Sequence, residues 1–157
     1  MVNTVGKNIS EVIKSYTAGF LDADGAIMAT IERHKEKRYG FRVRVIIEIA
    51  QKDRKILDWF QNQYSCGRVV LDRTTHAWII RDQSDVYTFI TQLEPYIRSK
   101  KKQASIALRI LDHEVSSKED LMSVALMADA LSSYNVRSKL RRRNYSLMIQ
   151  ETFSRND

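Results

Sequence analysis

The sequence holds a single cysteine, Cys66, which excludes an internal disulfide and a thiolate metal cluster. Placed just before Gly67, it reads as a packed thiol. Histidine is also scarce: His34, His76 and His113 are the three present, and they show no metal-ligand spacing. That argues against a transition-metal site and leaves a carboxylate-bound magnesium site open. No apolar run approaches the roughly 20 residues that span a bilayer, and the N-terminus shows no apolar signal-peptide core. A soluble, intracellular protein of the cytoplasm or an organelle matrix is therefore expected, with no membrane partner. Internal repeats and low-complexity linkers are also missing, so the 157 residues read as one domain with a real core.

What the chain has in excess is positive charge. Lysine and arginine number 26 against 19 aspartates and glutamates, a net charge of +7. The natural partner is then a polyanion, either nucleic acid or an acidic membrane surface. The membrane surface is the weaker of the two, because the basic residues fall on strands and loops rather than on one amphipathic helix face.

The periodicity orders the chain. Asn8, with Glu11 three positions on, reads as a helix start, and the helix runs from about Ile9 to Leu21. From Gly25 the period changes to two: Ile27, Ala29 and Ile31 alternate with Met28, Thr30 and Glu32. A charged loop, Arg33 to Gly40, leads to a second strand in which Phe41, Val43, Val45, Ile47 and Ile49 alternate with Arg42, Arg44, Ile46, Glu48 and Ala50. Asp53 caps a helix with Ile56, Leu57, Phe60 and Tyr64 on one face, closed by Gly67. A second hairpin follows, with Val69, Leu71, Trp78 and Ile80 inward and Arg68, Val70, Asp72, Ala77, Ile79 and Arg81 outward. Its turn runs from Asp72 to His76. Ser84 caps a third helix, the lone Pro95 ends it, and a fourth runs from about Gln103 to His113. Two more helices occupy 116–157, interrupted by Arg141, Arg142 and Arg143. The order suits an α+β, αββαββα fold: a four-stranded antiparallel sheet backed by helices on one face, with a C-terminal helical extension.

One stretch concentrates chemistry. Tyr16 to Gly25 reads YTAGFLDADG, a helix that runs into two carboxylates and a glycine. Ala18 and Gly19 permit close approach of another backbone. An EF-hand reading fails on register, since loop positions one and twelve would be Phe20 and Ile31. The decapeptide resembles the signature of the LAGLIDADG homing endonucleases. The resemblance covers about Ser15 to Leu111, and it implies a metal-dependent, site-specific DNA endonuclease of intron or intein origin, cutting both strands with short 3′ overhangs. The motif occurs once, which in that family implies a homodimer contacting through Tyr16, Ala18, Gly19 and Asp22.

Carried over residue by residue, the resemblance places the metal on Asp24 and the carbonyl of Ala23. The ion the resemblance implies is magnesium, with manganese or calcium able to replace it in binding. Gln51 then orients the attacking water, Lys55 takes the place of a basic residue that is arginine in the family, and Lys100 in Pro95 to Ala104 is the catalytic lysine. Lys102 contacts phosphate. Asp22, two residues before Asp24, reads as a cap or brace of the helix tip with no catalytic role. The uncovered sheet face becomes the reader of double-stranded DNA, with arginine donating to guanine and carboxylates accepting from cytosine. Its members are Met28, Thr30, Glu32, Arg42, Arg44, Glu48, Arg68, Val70, Asp72, Arg73, His76, Ile79 and Arg81, with Lys35, Lys37 and Arg38 on phosphates. Arg137, Lys139 and Arg141 to Arg143 are either a backbone grip or a solvated face. Two alternatives share this fold and charge: a maturase that binds intron RNA, and a DNA-binding regulator that does not cleave.

Overall fold

The computed structural model describes residues 8–135 and 139–156. The expected tail up to Lys7, Arg137 and the side chain of Lys139 lie outside that description. The chain opens on α1 (Glu11–Asp24), and Ser10 rather than Asn8 caps it: the Ser10 hydroxyl accepts the Ile13 N–H at 3.3 Å. No breaker follows Leu21, so α1 continues three residues past the expected end and carries both aspartates on its last turn.

Gly25 then passes the chain from α1 into β1 (Gly25–Arg33) with ordinary extended angles, φ −95° and ψ 168°. Its requirement is space rather than a rare backbone conformation. A Cβ there would stand 2.5 Å from a Leu21 methyl and 2.7 Å from the Leu21 carbonyl oxygen.

β1 pairs with β2 (Phe41–Gln51) through a hairpin, and β3 (Arg68–Asp72) pairs with β4 (Thr75–Ile80). The four strands form one antiparallel sheet in the order β1-β2-β4-β3, as the periodicity predicts. Ile27, Ile31, Phe41, Val45, Ile47, Ile49, Trp78 and Ile80 are buried beneath the helices. The second hairpin departs from expectation twice. Leu71 lies on an edge strand and is 66% exposed, whereas Ala77 faces the bare side yet is only 3% exposed. Ala50 and Val70 pair with Ala77 from both sides and cover it.

The helices α2 (Arg54–Tyr64), α3 (Gln83–Leu93) and α4 (Lys101–Asp112) back the sheet. Asp53 caps α2 as expected, accepting the Lys55 N–H at 2.9 Å. Ser65, at φ 53°, closes α2 instead of Gly67. Asp82, not Ser84, caps α3 by accepting the Asp85 N–H. Helix α4 starts two residues before Gln103, and its N-cap, Lys100, provides no side-chain cap.

The C-terminal part consists of α5 (Lys118–Asn135), a 3-10 turn Lys139–Arg141 and α6 (Tyr145–Asn156). Leu121, Val124, Ala125, Ala128, Leu131 and Ile149 belong to the same core as the sheet residues. Asn135 donates to the Ile27 carbonyl at 2.6 Å and Tyr145 to the Ala29 carbonyl at 3.4 Å. These bonds cover the open edge of β1, which would otherwise offer unpaired carbonyls to another chain.

Candidate metal centre and nucleic-acid interface

The last turn of α1 sends its two carboxylates to different partners. Asp24 is exposed, and its Oδ2 accepts a hydrogen bond from Gln51 Nε2 at 2.7 Å. The β1–β2 register makes this contact: Gly25 lies opposite Ile49, so the end of β2 arrives beside the tip of α1. Asp22 turns toward the segment before α4, where its carboxylate accepts the N–H of Arg98 at 2.7 Å and of Lys100 at 3.0 Å. Partial burial pushes the Asp22 pKa up, but these backbone donors outweigh it and hold the carboxyl below its ordinary value. The Lys100 ammonium donates to the Asp22 carbonyl at 2.6 Å.

Asp24, Gln51 and Lys100 are thus gathered at one helix tip. Lys55 is on the first turn of α2, exposed, and the structure does not join it to the other three. Among the described residues no group of three His, Cys, Asp or Glu side chains could hold a metal. A lone carboxylate with the neighbouring carbonyl of exposed Ala23 offers hard oxygen donors. That fits a magnesium- or calcium-type ion that keeps its remaining positions for water and phosphate.

Beyond this tip stretches the sheet face that no helix covers. Register places Met28 opposite Ile46, Thr30 opposite Arg44, Glu32 opposite Arg42 and Ala26 opposite Glu48. Glu48 also faces Ile79, and Arg68 faces Ile79 from the other side. Glu32 Oε1 accepts from Arg42 at 2.7 and 3.1 Å, with Arg44 at 3.9 Å. The Arg42 hydrogen bond holds the Glu32 carboxyl below its usual range. The face therefore has a charged end at the β1–β2 hairpin and an apolar centre of Met28, Ile46, Val70, Ala77 and Ile79. Arginine forks and apolar side chains can match guanine edges and thymine methyls in a major groove.

Lys35, Lys37 and Arg38 are exposed on the hairpin loop at the charged end, while Asp72 and Arg73 stand at the tip of the second hairpin, Arg73 at φ 55°. Arg81 is exposed just past β4. His76 is a correction. The turn is shorter than expected, so β4 begins at Thr75 and His76 shares the helix side of the sheet with Trp78, opposite Gln51. Its Nδ1 lies 3.3 Å from the Lys52 carbonyl, away from the bare face. Lys102 places its ammonium 5.5 Å from the centre of the Tyr134 ring.

The outer side of α1 differs from the sequence expectation in two of its four residues. Ala18 is fully buried within its own chain, as are Thr17 and Leu21, so it packs inward rather than against another molecule. The Asp22 carboxylate is engaged by backbone N–H groups of its own chain. Tyr16 is 48% exposed, and a Cβ on Gly19 would meet nothing within 4 Å. Val12, 78% exposed and not singled out in the sequence, and Ala23, expected only to lend its carbonyl to the metal, lie on the same side of the helix. Positions 12, 16, 19 and 23 recur at helical spacing and were legible in principle from that spacing. Trp59 of α2 packs edge-on to the Tyr16 ring at 5.8 Å and broadens the apolar strip.

The pattern of the LAGLIDADG endonuclease family matches residues 17–111, the span that holds the second half of α1, the whole sheet, α2, α3 and most of α4. The chain is 28% identical over 125 residues to the DNA endonuclease I-CreI of Chlamydomonas reinhardtii, covering 76% of this chain and 77% of that one. It is 31% identical over 121 residues to the DNA endonuclease I-CvuI of Chlorella vulgaris, covering 73% and 74%. The homing endonuclease I-CvuI has been solved with DNA, once with magnesium and once with calcium. Both structures superpose with a TM-score of 0.83 over 92% of this chain and 94% of that one, at 25% and 26% identity.

Proposed function

We propose, for a chain that belongs to the LAGLIDADG endonuclease family, that it is a homodimeric, magnesium-dependent homing endonuclease of the free-standing, intron-encoded type. It hydrolyses both strands of a long pseudo-palindromic DNA site. The observation that carries this reading is the helix tip: Asp24 held by Gln51 at 2.7 Å, with Lys100 fixed to the same turn, at the end of an arginine-bearing bare sheet. DNA-bound I-CvuI, similar over nearly the whole chain, supports DNA as the polyanion.

Asp24 and the Ala23 carbonyl hold the cation, which when bound acidifies a water molecule and neutralises charge at the phosphate. Gln51, whose amide group already donates to Asp24, keeps its carbonyl oxygen for orienting the attacking water. Lys100 offsets the charge that grows on the phosphate oxygens. Each subunit carries one such carboxylate, so a symmetric pair serves two strands, and each sheet reads a half-site on the order of 10 bp. The dimer contact is the apolar strip Val12, Tyr16, Gly19 and Ala23.

The test is cleavage of the host gene, joined across its intron, by the wild-type protein and Asp24→Asn. The variant is expected to retard that DNA as the wild type does in calcium, but to leave it uncut in magnesium. Metal-dependent cutting by the variant would overturn the role of Asp24.

A further inference from the structure

Helix α4 lacks a cap of its own, since Lys100 occupies the N-cap position and offers no side-chain acceptor. The N-cap N–H is one of the groups a helix start leaves without an intrahelical partner, and a carboxylate close by also suits the positive end of the helix. Asp22 supplies that carboxylate from α1, 76 and 78 positions away along the chain. The link is doubled. The Asp22 carboxylate fixes the backbone of Arg98 and Lys100, and the Asp22 carbonyl receives the Lys100 ammonium at 2.6 Å. A weaker contact, Ser99 Oγ to the same carbonyl at 3.4 Å, closes the loop around the helix tip.

We propose that Asp22 is a positioning residue: it clamps the start of α4 to the tip of α1 and so sets Lys100 relative to Asp24. This rests on the endonuclease reading above and adds to it a residue that touches neither metal nor DNA. Asp22 and Asp24 are separated by a single residue on one turn, so displacement of the α4 start moves Lys100 against a fixed Asp24. Catalysis is sensitive to ångström-scale misplacement of this kind, which costs on the order of 100-fold. Asparagine has nearly the same shape but keeps one oxygen acceptor for two N–H donors. Asp22→Asn therefore loosens the clamp without opening a cavity.

Two readouts test it. In the first, single-turnover cleavage in magnesium and DNA affinity in calcium are measured for the wild type, Asp22→Asn, Lys100→Met and the double variant. Asp22→Asn is expected to cut at least about tenfold more slowly with affinity kept within about twofold. The double variant should then be no slower than Lys100→Met alone, because the two residues act as one unit. Full-speed cleavage by Asp22→Asn, or a slowing that simply adds to that of Lys100→Met, would overturn the proposal.

In the second, the lysines of the DNA-free protein are labelled with acetic anhydride. Lys100 is expected to react more slowly than exposed Lys101, and to match Lys101 in Asp22→Asn and Asp22→Ala. Unchanged protection of Lys100 in both folded variants would also overturn the clamp. Labelling needs no substrate, so failure of the wild type to cut DNA would refute the endonuclease reading and leave this arm to judge Asp22.

Discussion

Asp24 and Asp22 are two residues apart, of the same type, on one helical turn, yet the fold gives them different partners. The exposed Asp24 carboxylate has one oxygen engaged by Gln51, and that leaves lone pairs for an ion. Asp22 has both oxygens spent on backbone N–H groups. The carboxylate at the helix tip was legible from the motif, whereas the bonds from Arg98 and Lys100 to Asp22 were not, since nothing local in the sequence brings those residues together. His76 was misread for a different reason. The expected turn takes it in, although the alternation that sends Trp78 and Ile80 inward sends His76 inward as well, and its pairing with Gln51 and Leu71 bears that out. Gly25 gives the sharpest test at this scale. Gly25→Ala would press its methyl onto the Leu21 backbone, and the helix-to-strand passage would have to shift. We expect a loss of about 1–3 kcal/mol in denaturant unfolding, together with impaired cleavage, because the shift moves Asp24.

At the scale of elements, the sheet and its helices were readable because each buried face repeats cleanly: odd positions along β1 and β2, and Leu57, Phe60 and Tyr64 along α2. Caps were less readable. Asn8, Ser10, Asp82 and Ser84 all have suitable side chains, and tertiary packing selects among them. The start of α5 shows what was missed. Ser117 Oγ accepts the Asp120 N–H at 3.0 Å, and the Asp120 carboxylate reaches back to the Ser116 N–H and hydroxyl at 3.0 and 2.8 Å. Ser117→Ala is expected to cost about 1 kcal/mol of stability, measurable as a lowered urea midpoint.

Those serine donors hold the Asp120 carboxyl well below the carboxylate range, with His113 adding a smaller effect. The folded-state pKa lies below the unfolded one. This stabilisation is therefore complete above a pH of about 4 and is lost as pH falls through the lowered value. Asp120→Asn should erase that part of the acid dependence, which an unfolding series between pH 2 and pH 6 would reveal. A curve parallel to the wild type would contradict it.

For the whole molecule, under the proposed function the basic sheet face and the Asp24 carboxylate are half of a two-strand cutter. The second half then joins at the strip Val12, Tyr16, Gly19 and Ala23, of which Val12 is 78% and Tyr16 48% exposed. Val12→Glu with Tyr16→Glu should shift the sedimenting species from dimer to monomer and abolish double-strand cutting, while the circular dichroism spectrum stays that of the wild type. A variant that remains dimeric would place the interface elsewhere. Binding should also be strongly salt-dependent, since counterions are released as lysines and arginines meet phosphates. A binding constant unchanged between 50 mM and 200 mM salt would deny the phosphate contacts of Lys35, Lys37 and Arg38. Among the described residues no helix is long and apolar enough to cross a membrane.

The most direct measurement of the central claim is incubation of the purified protein with its own host gene, joined across the intron, in magnesium and separately in EDTA. The account predicts two discrete fragments with short 3′ overhangs in magnesium and intact DNA in EDTA. Intact DNA in both, alongside tight and salt-sensitive retardation of the same fragment, would contradict it and leave a DNA-binding protein that does not cut.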